Sequence, residues 1–305
     1  MLNPTRFVWF DGELVPWDQA NVHVLSHGLH YGSGVFEGIR AYATSRGPAV
    51  FRLSDHMRRL EASARAYGIP LLWTAAEFTK AALELVRANE LEACYLRPIV
   101  FYGTGSIGLN PKGARVQAAI IAFEWAAYLG AEGLEKGVKV KVSSWRRIDH
   151  ASFIPSAKGA GQYMNSVLAK QEALNGGYDE ALMLNSAGFV AEGTGENVFL
   201  VQDGVARTPE PASGILAGIT RASVMRLLAD AGVPVEEGQI LRSDLYQADE
   251  AFFTGTAAEV TPIREIDDRV VGSGLPGPVT RKAQELFQAA VRGELAAYRD
   301  WLEFA

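Results

Sequence analysis

Ile154-Pro155-Ser156-Ala157-Lys158-Gly159-Ala160-Gly161-Gln162-Tyr163 sets one lysine among small residues. A surface lysine usually sits among polar neighbours on a solvated face. Here the stem is hidden, Pro155 sets the approach, and the glycines let backbone or a ligand come close. Such a lysine suits use as a nucleophilic amine, its pKa lowered by burial, able to form a Schiff base. A lysine in a Gly-rich surface loop reads the same way on this run alone, so the rest of the chain has to decide.

Outward from that run the chain alternates short strands with helices. Residues 138–142, Val-Lys-Val-Lys-Val, alternate with period two as a half-buried strand does, and 162–174 reads as a helix. Further strands are expected at 180–184, 197–202 and 250–254, with turns at Asn185-Ser186-Ala187-Gly188 and Asp203-Gly204, and helices at 220–231 and 278–291. Upstream, Asp11-Gly12 turns a hairpin, and strands fall near 38–42, 49–52, 93–102 and 116–125. Ser54 is the expected N-cap of a helix running to about Tyr67, and Thr74-Ala75-Ala76-Glu77 is a capping box opening a second helix. The reading is an α/β (α+β) chain of two domains, 1–125 and 137–305, joined by a loop over 126–136.

Bulk composition excludes several classes. With 305 residues, 48% of them hydrophobic, the chain can build a large core. A net charge of -6 without a basic run argues against nucleic-acid binding. The one cysteine, Cys94, allows no intrachain disulfide or cysteine metal cluster, and its apolar run reads as a buried, inert thiol. Residues 1–10 lack the pattern of a signal peptide, and no apolar run would span a membrane, so a cytoplasmic protein is expected.

Five further features bear on Lys158. Arg58 and Arg59 lie on different sides of the first helix, and one could reach inward, although most helix arginines are solvated. Gly218-Ile219-Thr220 opens a helix whose free N–H groups suit a phosphate, but an ordinary N-cap threonine explains Thr220 equally well. Thr254-Gly255-Thr256-Ala257-Ala258 ends a strand with hydroxyls and small residues, as an anion site or as a plain bend. Glu192 and Glu196 lie in a Gly-rich bend, where one carboxylate could face a buried ring nitrogen or both could be exposed. Tyr95 and Arg97 share a strand face and pair a phenol with a guanidinium, a good carboxylate receptor. His23, His27 and His30 lack acidic or cysteine partners, so no metal site is expected. Neither a G-x-S-x-G elbow nor a P-loop occurs.

Taken in order, these runs resemble fold-type IV pyridoxal-phosphate enzymes, and among them bacterial branched-chain amino-acid aminotransferases. The matching runs extend nearly end to end. They are His27-Gly28-Leu29-His30-Tyr31-Gly32, Val35-Phe36-Glu37-Gly38-Ile39-Arg40, His56-Met57-Arg58-Arg59-Leu60, Tyr95-Leu96-Arg97-Pro98, Ala157-Lys158, Glu192-Gly193-Thr194-Gly195-Glu196-Asn197, Gly218-Ile219-Thr220-Arg221 and Thr254-Gly255-Thr256-Ala257-Ala258-Glu259.

The resemblance implies roles and an architecture. Lys158 corresponds to the Schiff-base lysine of pyridoxal 5'-phosphate, Tyr163 to the tyrosine on its phenolic oxygen, and Glu192, rather than Glu196, to the partner of its ring nitrogen. Arg59, Gly218, Ile219, Thr220, Gly255 and Thr256 correspond to the phosphate cradle. Tyr95, Arg97, Thr256 and Ala257 correspond to the carboxylate receptor. Tyr31, Phe36, Gly38, Arg40, Trp125, Tyr128 and Tyr163 correspond to the side-chain pocket, with Leu109 supplied by a neighbouring subunit. The implied fold has two domains with the cofactor in the cleft between them. The implied activity is transfer of the amino group of L-leucine, L-isoleucine or L-valine to 2-oxoglutarate. A homodimer at least is implied, and a hexamer is left open. Rival members of the same fold are D-amino-acid transaminases, (R)-amine transaminases and aminodeoxychorismate lyases.

Overall fold

The computed structural model describes residues 3–125 and 129–305. Contacts divide the chain into two compact units. One is Met1–Trp125 with Ala157–Gln162 and Ala290–Ala305, and the other is Ala126–Ser156 with Tyr163–Ala289.

The first unit carries strands β1 (Phe7–Phe10), β2 (Glu13–Pro16), β3 (Gly34–Phe36), β4 (Ile39–Thr44), β5 (Gly47–Phe51), β6 (Cys94–Tyr102) and β7 (Val116–Phe123), with helices α1 (His27–Tyr31), α2 (Leu53–Ala66) and α3 (Ala75–Ala88). The C-terminal strand Leu302–Phe304 pairs with β5, and the sheet then runs β5-β4-β6-β7-β1-β2, with β3 also paired to β6. Leu53, Met57, Leu60 and Ala64 repeat at helical spacing along α2 and are wholly buried with Phe78, Leu85, Leu96 and Ile120. That stripe turns Arg59 and Arg58 to different sides, as the sequence suggests.

The second unit carries α4 (Gly130–Lys136), β8 (Val138–Val142), α5 (Tyr163–Asn175), β9 (Glu180–Leu184), β10 (Val190–Gly193), β11 (Asn197–Gln202), β12 (Val205–Pro209), α6 (Ile219–Asp230), β13 (Val235–Gly238), β14 (Glu250–Gly255), β15 (Glu259–Ile266), β16 (Arg269–Val270) and α7 (Pro278–Val291). Its sheet runs β10-β9-β8-β15-β14-β11-β12-β13, with β16 on β15. β8 pairs in parallel with both β9 and β15. Every residue of β9 is buried, so that strand reads as an unbroken apolar run after Glu180 rather than an alternation.

Two local expectations fail. Helix α2 begins at Leu53 after Arg52 in a left-handed conformation (φ 52°), so Ser54 is not its cap. The Ser54 amide and hydroxyl instead bond the Glu303 carboxylate at 2.7 and 2.9 Å, a contact 249 residues away that local sequence cannot announce. Within the expected connecting loop, Gly130–Lys136 is helical. The Thr74 capping box forms as read, with Glu77 and Thr74 bonding reciprocally. Among the described residues no helix is long and apolar enough to cross a membrane.

Candidate active site

Lys158 lies in a segment laid against β3. Gly159 bridges to Val35, the Phe36 amide donates to the Lys158 carbonyl at 3.1 Å, and the Ala160 amide donates to the Gly34 carbonyl at 2.8 Å. The Ser63 hydroxyl of α2 accepts from the Lys158 amide at 3.0 Å. A Cβ on Gly159 would come within 2.8 Å of the Tyr67 ring, so any larger residue beside the lysine would have to displace that ring. The small residues therefore do what the sequence suggests: they let backbones approach and fix where the half-buried lysine starts.

The lysine side chain runs to the Phe36 ring, with Nζ 5.0 Å from its centroid. Arg97 approaches the same ring, its Cζ 4.9 Å from the centroid. Pairing of β3 and β6 sets Phe36 opposite Ile99, which places it on the same face as Arg97 and Tyr95. Arg97 Nη2 donates to the Tyr95 hydroxyl at 3.2 Å, so phenol and guanidinium form the expected pair. Arg97 Nε is buried and meets no acceptor among the described residues. A buried donor without an acceptor is costly, which suits a guanidinium that receives an anion. Gly38 admits the phenol: a Cβ there would lie 1.9 Å from the Tyr95 hydroxyl. Arg40 is the cross-strand partner of Tyr95, and Trp125 packs edge-on to the Tyr95 ring at 4.6 Å.

Arg59 reaches inward from α2. Its Nε and Nη2 donate to the two oxygens of Glu37 at 2.7 and 2.9 Å, while Arg58 stays exposed. Glu37 is wholly buried and also bonds His56 Nδ1 at 2.7 Å. A carboxylate only accepts, so Nδ1 carries the hydrogen. Burial pulls the Glu37 pKa upward, but the Arg59 charge and the bonds from Arg59 and His56 outweigh it and hold the carboxyl well below the usual range. Burial lowers the His56 pKa. The Glu37 charge opposes this, and the nearby Arg59 and Lys158 charges reinforce it.

Leu109 lies in the loop between β6 and β7, and Tyr31 reaches the same loop. The Tyr31 hydroxyl donates to the Ile107 carbonyl at 2.8 Å, and His27 Nε2 bonds the Gly108 carbonyl at 2.8 Å. Leu109 projects with 82% of its surface exposed.

In the second unit Glu192 is buried on β10 just past a register shift. Its Oε1 accepts from Arg147 Nε at 2.7 Å, and its Oε2 accepts from Asn197 Nδ2 and the Leu216 amide, each at 3.0 Å. Asn197 also abuts the start of α6: a Cβ on Gly218 would fall 1.9 Å from Asn197 Oδ1. The carboxylate and the open N-terminus of α6, with buried Thr220, are thus held on one asparagine. Asn197 lies opposite Thr254, whose hydroxyl is buried without a partner among the described residues, and Gly255, Thr256 and Ala257 follow at the half-buried end of β14. Tyr163 opens α5 and is half-buried.

Glu196 has different neighbours. Its carboxyl is buried and accepts from the Gly195 amide at 3.1 Å. Burial first, and then the Glu180 charge, push its pKa up to about 8. The two carboxylates of the bend therefore separate, one facing a guanidinium and the other facing a like charge.

Sequence reasoning quoted Glu37, His56 and Asn197 without giving them roles, and passed over Arg147. Glu37 carried a signal, since a carboxylate set between the apolar runs Val35-Phe36 and Ile39 needs a partner if it is buried. Arg147 carried none. Tyr128 lies outside the described residues.

The family model for amino-transferase class IV matches residues 34–266, and the chain belongs to that family. It is 49% identical over 294 residues to the branched-chain-amino-acid aminotransferase of Pseudomonas aeruginosa, covering 96% of this chain and 95% of the relative. The crystal structure of the Escherichia coli branched-chain amino acid aminotransferase superposes with a TM-score of 0.96 at 44% identity, covering 98% of this chain and 99% of that one. The T.th. branched-chain amino acid aminotransferase with pyridoxamine 5'-phosphate superposes with a TM-score of 0.95 at 44% identity, covering 98% of each.

Proposed function

We propose that this chain is a pyridoxal 5'-phosphate-dependent transaminase. It moves the amino group of L-leucine, L-isoleucine or L-valine to 2-oxoglutarate, giving the 2-oxo acid and L-glutamate. The observation that carries the reading is the Phe36 ring. Lys158 Nζ and Arg97 Cζ lie 5.0 and 4.9 Å from its centroid, so an amine nucleophile and a carboxylate receptor share one apolar wall.

The donor set fits the cofactor. Glu192 is a buried carboxylate with three donors fixing it, suited to a cationic ring nitrogen. The α6 N-terminus with Ile219 and Thr220 suits a phosphate, and Arg59, Gly255 and Thr256 would add to its cradle. Lys158 would hold the cofactor covalently, and Tyr163 would bond its phenolic oxygen. When bound, the cofactor supplies a pyridinium ring that draws electrons from the substrate's Cα.

The protein's own residues do the rest. Released when the substrate's amine takes its place, Lys158 Nζ would act as the base that removes the Cα proton. Glu192 keeps the ring nitrogen charged. Tyr95, Arg97 and the amides of Thr256 and Ala257 bind the substrate carboxylate. Phe36, Tyr31, Gly38, Arg40, Trp125 and Tyr163 would flank the side chain and help to exclude water. Tyr31, Tyr128 and Arg97 offer the polar contacts that the second carboxylate of glutamate needs.

The active form we propose is a homodimer. Val22, Val24, Leu25 and Leu29 are exposed, and Val22 and Leu29 help line an apolar hollow of about 280 Å³. In this assembly Leu109 completes the pocket of the other copy.

The test is a half-reaction. Cofactor-loaded protein given L-leucine without an acceptor should form about one equivalent of 2-oxo acid per chain. Reaction with D-leucine or a simple (R)-amine alone would assign the chain to another member of the fold.

A further inference from the structure

We infer that Glu37 and His56 are positioning residues that preset the Arg59 guanidinium for the cofactor phosphate. This rests on the assignment of Arg59 to the phosphate. The geometry is specific. Glu37 takes the Nε/Nη2 edge of Arg59 with one oxygen to each nitrogen, at 2.7 and 2.9 Å. That pairing fixes the plane and rotation of the guanidinium and turns the side carrying Nη1 away from Glu37.

His56 fixes Glu37 in turn, bonding Oε2 at 2.7 Å, and the Gly38 amide adds a longer bond of 3.3 Å to the same oxygen. The Glu37 backbone is tied down as well, its amide donating to the Pro98 carbonyl at 2.8 Å. Glu37 and His56 are buried, with side-chain exposures of 0% and 2%, while Arg59 retains 15%. Of the three, the arginine alone is appreciably exposed.

A buried carboxylate beside a phosphate-binding arginine is at first sight counterproductive, because its charge offsets that of the guanidinium and repels the phosphate. Two effects of opposite sign therefore compete at Glu37. Its charge weakens the long-range attraction of Arg59 for a dianion, and its fork geometry removes the conformational cost of aligning a long side chain on that dianion. On this inference, alignment and hydrogen-bond direction outweigh the like-charge repulsion, so that the carboxylate strengthens phosphate binding. His56 belongs to the same device, since its Nδ1–H makes the shortest bond to Oε2 and it joins Arg59 in holding the carboxylate.

The test compares pyridoxal 5'-phosphate with pyridoxal, which lacks the phosphate, in binding to the full-length apoprotein. Each dissociation constant is followed by protein fluorescence. Wild type should prefer the phosphorylated form strongly. If wild type binds both alike, the phosphate role of Arg59 fails, and not merely its positioning. Glu37→Gln should weaken pyridoxal 5'-phosphate about tenfold or more and leave pyridoxal nearly unchanged.

Three results overturn the inference: tighter phosphate-dependent binding, which would leave Glu37 only a charge moderator; equal loss for both ligands, which would make it a support of the fold; and no change for either. If Glu37→Gln does not fold, His56→Asn and His56→Leu decide. Asparagine can still donate to Glu37 and leucine cannot. Phosphate-dependent affinity should therefore be near wild type in the first and reduced several-fold in the second. Equality of the two variants overturns the inference.

Discussion

Arg147 donates from Nε to Glu192 Oε1 at 2.7 Å, with both side chains almost removed from solvent at 6% and 8% exposure. An ion pair this deep is costly to break from one side, because the surviving carboxylate stays buried without its counter-charge. Arg147→Met should therefore cost roughly 3–5 kcal/mol of unfolding free energy. Adding Glu192→Gln should return part of that stability while leaving activity lost. Urea denaturation of both single variants and the double variant checks this. A double variant as unstable as the sum of the singles would mean the two residues act separately. In Glu192→Gln alone, the amino-acid half-reaction should slow at least about 100-fold, read by stopped-flow absorbance.

Glu196 gives a pH signature. With its pKa pushed up to about 8 by burial and the Glu180 charge, the folded protein holds a proton that the unfolded chain releases from about its ordinary value of 4.5. Between those values the unfolded state binds fewer protons, so this group lowers stability as pH rises. Glu196→Gln mimics the protonated form. It should melt above wild type at pH 8, and the gap should close toward pH 4. A gap that stays constant with pH, or that reverses, contradicts the assignment.

Arg97 should matter for every substrate with a carboxylate. Loss of a charged hydrogen bond in a buried receptor costs roughly 1.5–3 kcal/mol, so Arg97→Ala should weaken apparent affinity for leucine and 2-oxoglutarate at least about tenfold. Arg97→Lys should not restore it, because a point charge loses the fork. A simple amine donor should suffer less. Equal losses with acid and amine donors would make Arg97 a support of the fold.

Much of this architecture was legible in sequence where periodicity was strong. The Val138–Val142 strand and the Pro278–Val291 helix fall where alternation and helical spacing put them. The candidate site was legible in parts, as runs around Lys158, Glu192 and Arg97. Partnerships formed across long separations were not. Ser54 looks like a cap until Glu303 arrives, and Arg147 looks like any loop arginine until β10 brings Glu192 to it. Glu37 was in plain view between Phe36 and Gly38, but its use depends on which way Arg59 leaves α2. The helical stripe fixes that direction only once the core has formed.

Covalent capture of the cofactor tests the central claim most directly. Protein loaded with pyridoxal 5'-phosphate, reduced with borohydride, digested and mapped by mass should carry the label on the peptide containing Lys158, and Lys158→Ala should carry none. Lys170, bound to Glu180 at 2.7 Å, should stay unlabelled in both. A label on Lys170 or another lysine of the wild type, with Lys158 unmodified, would contradict the account.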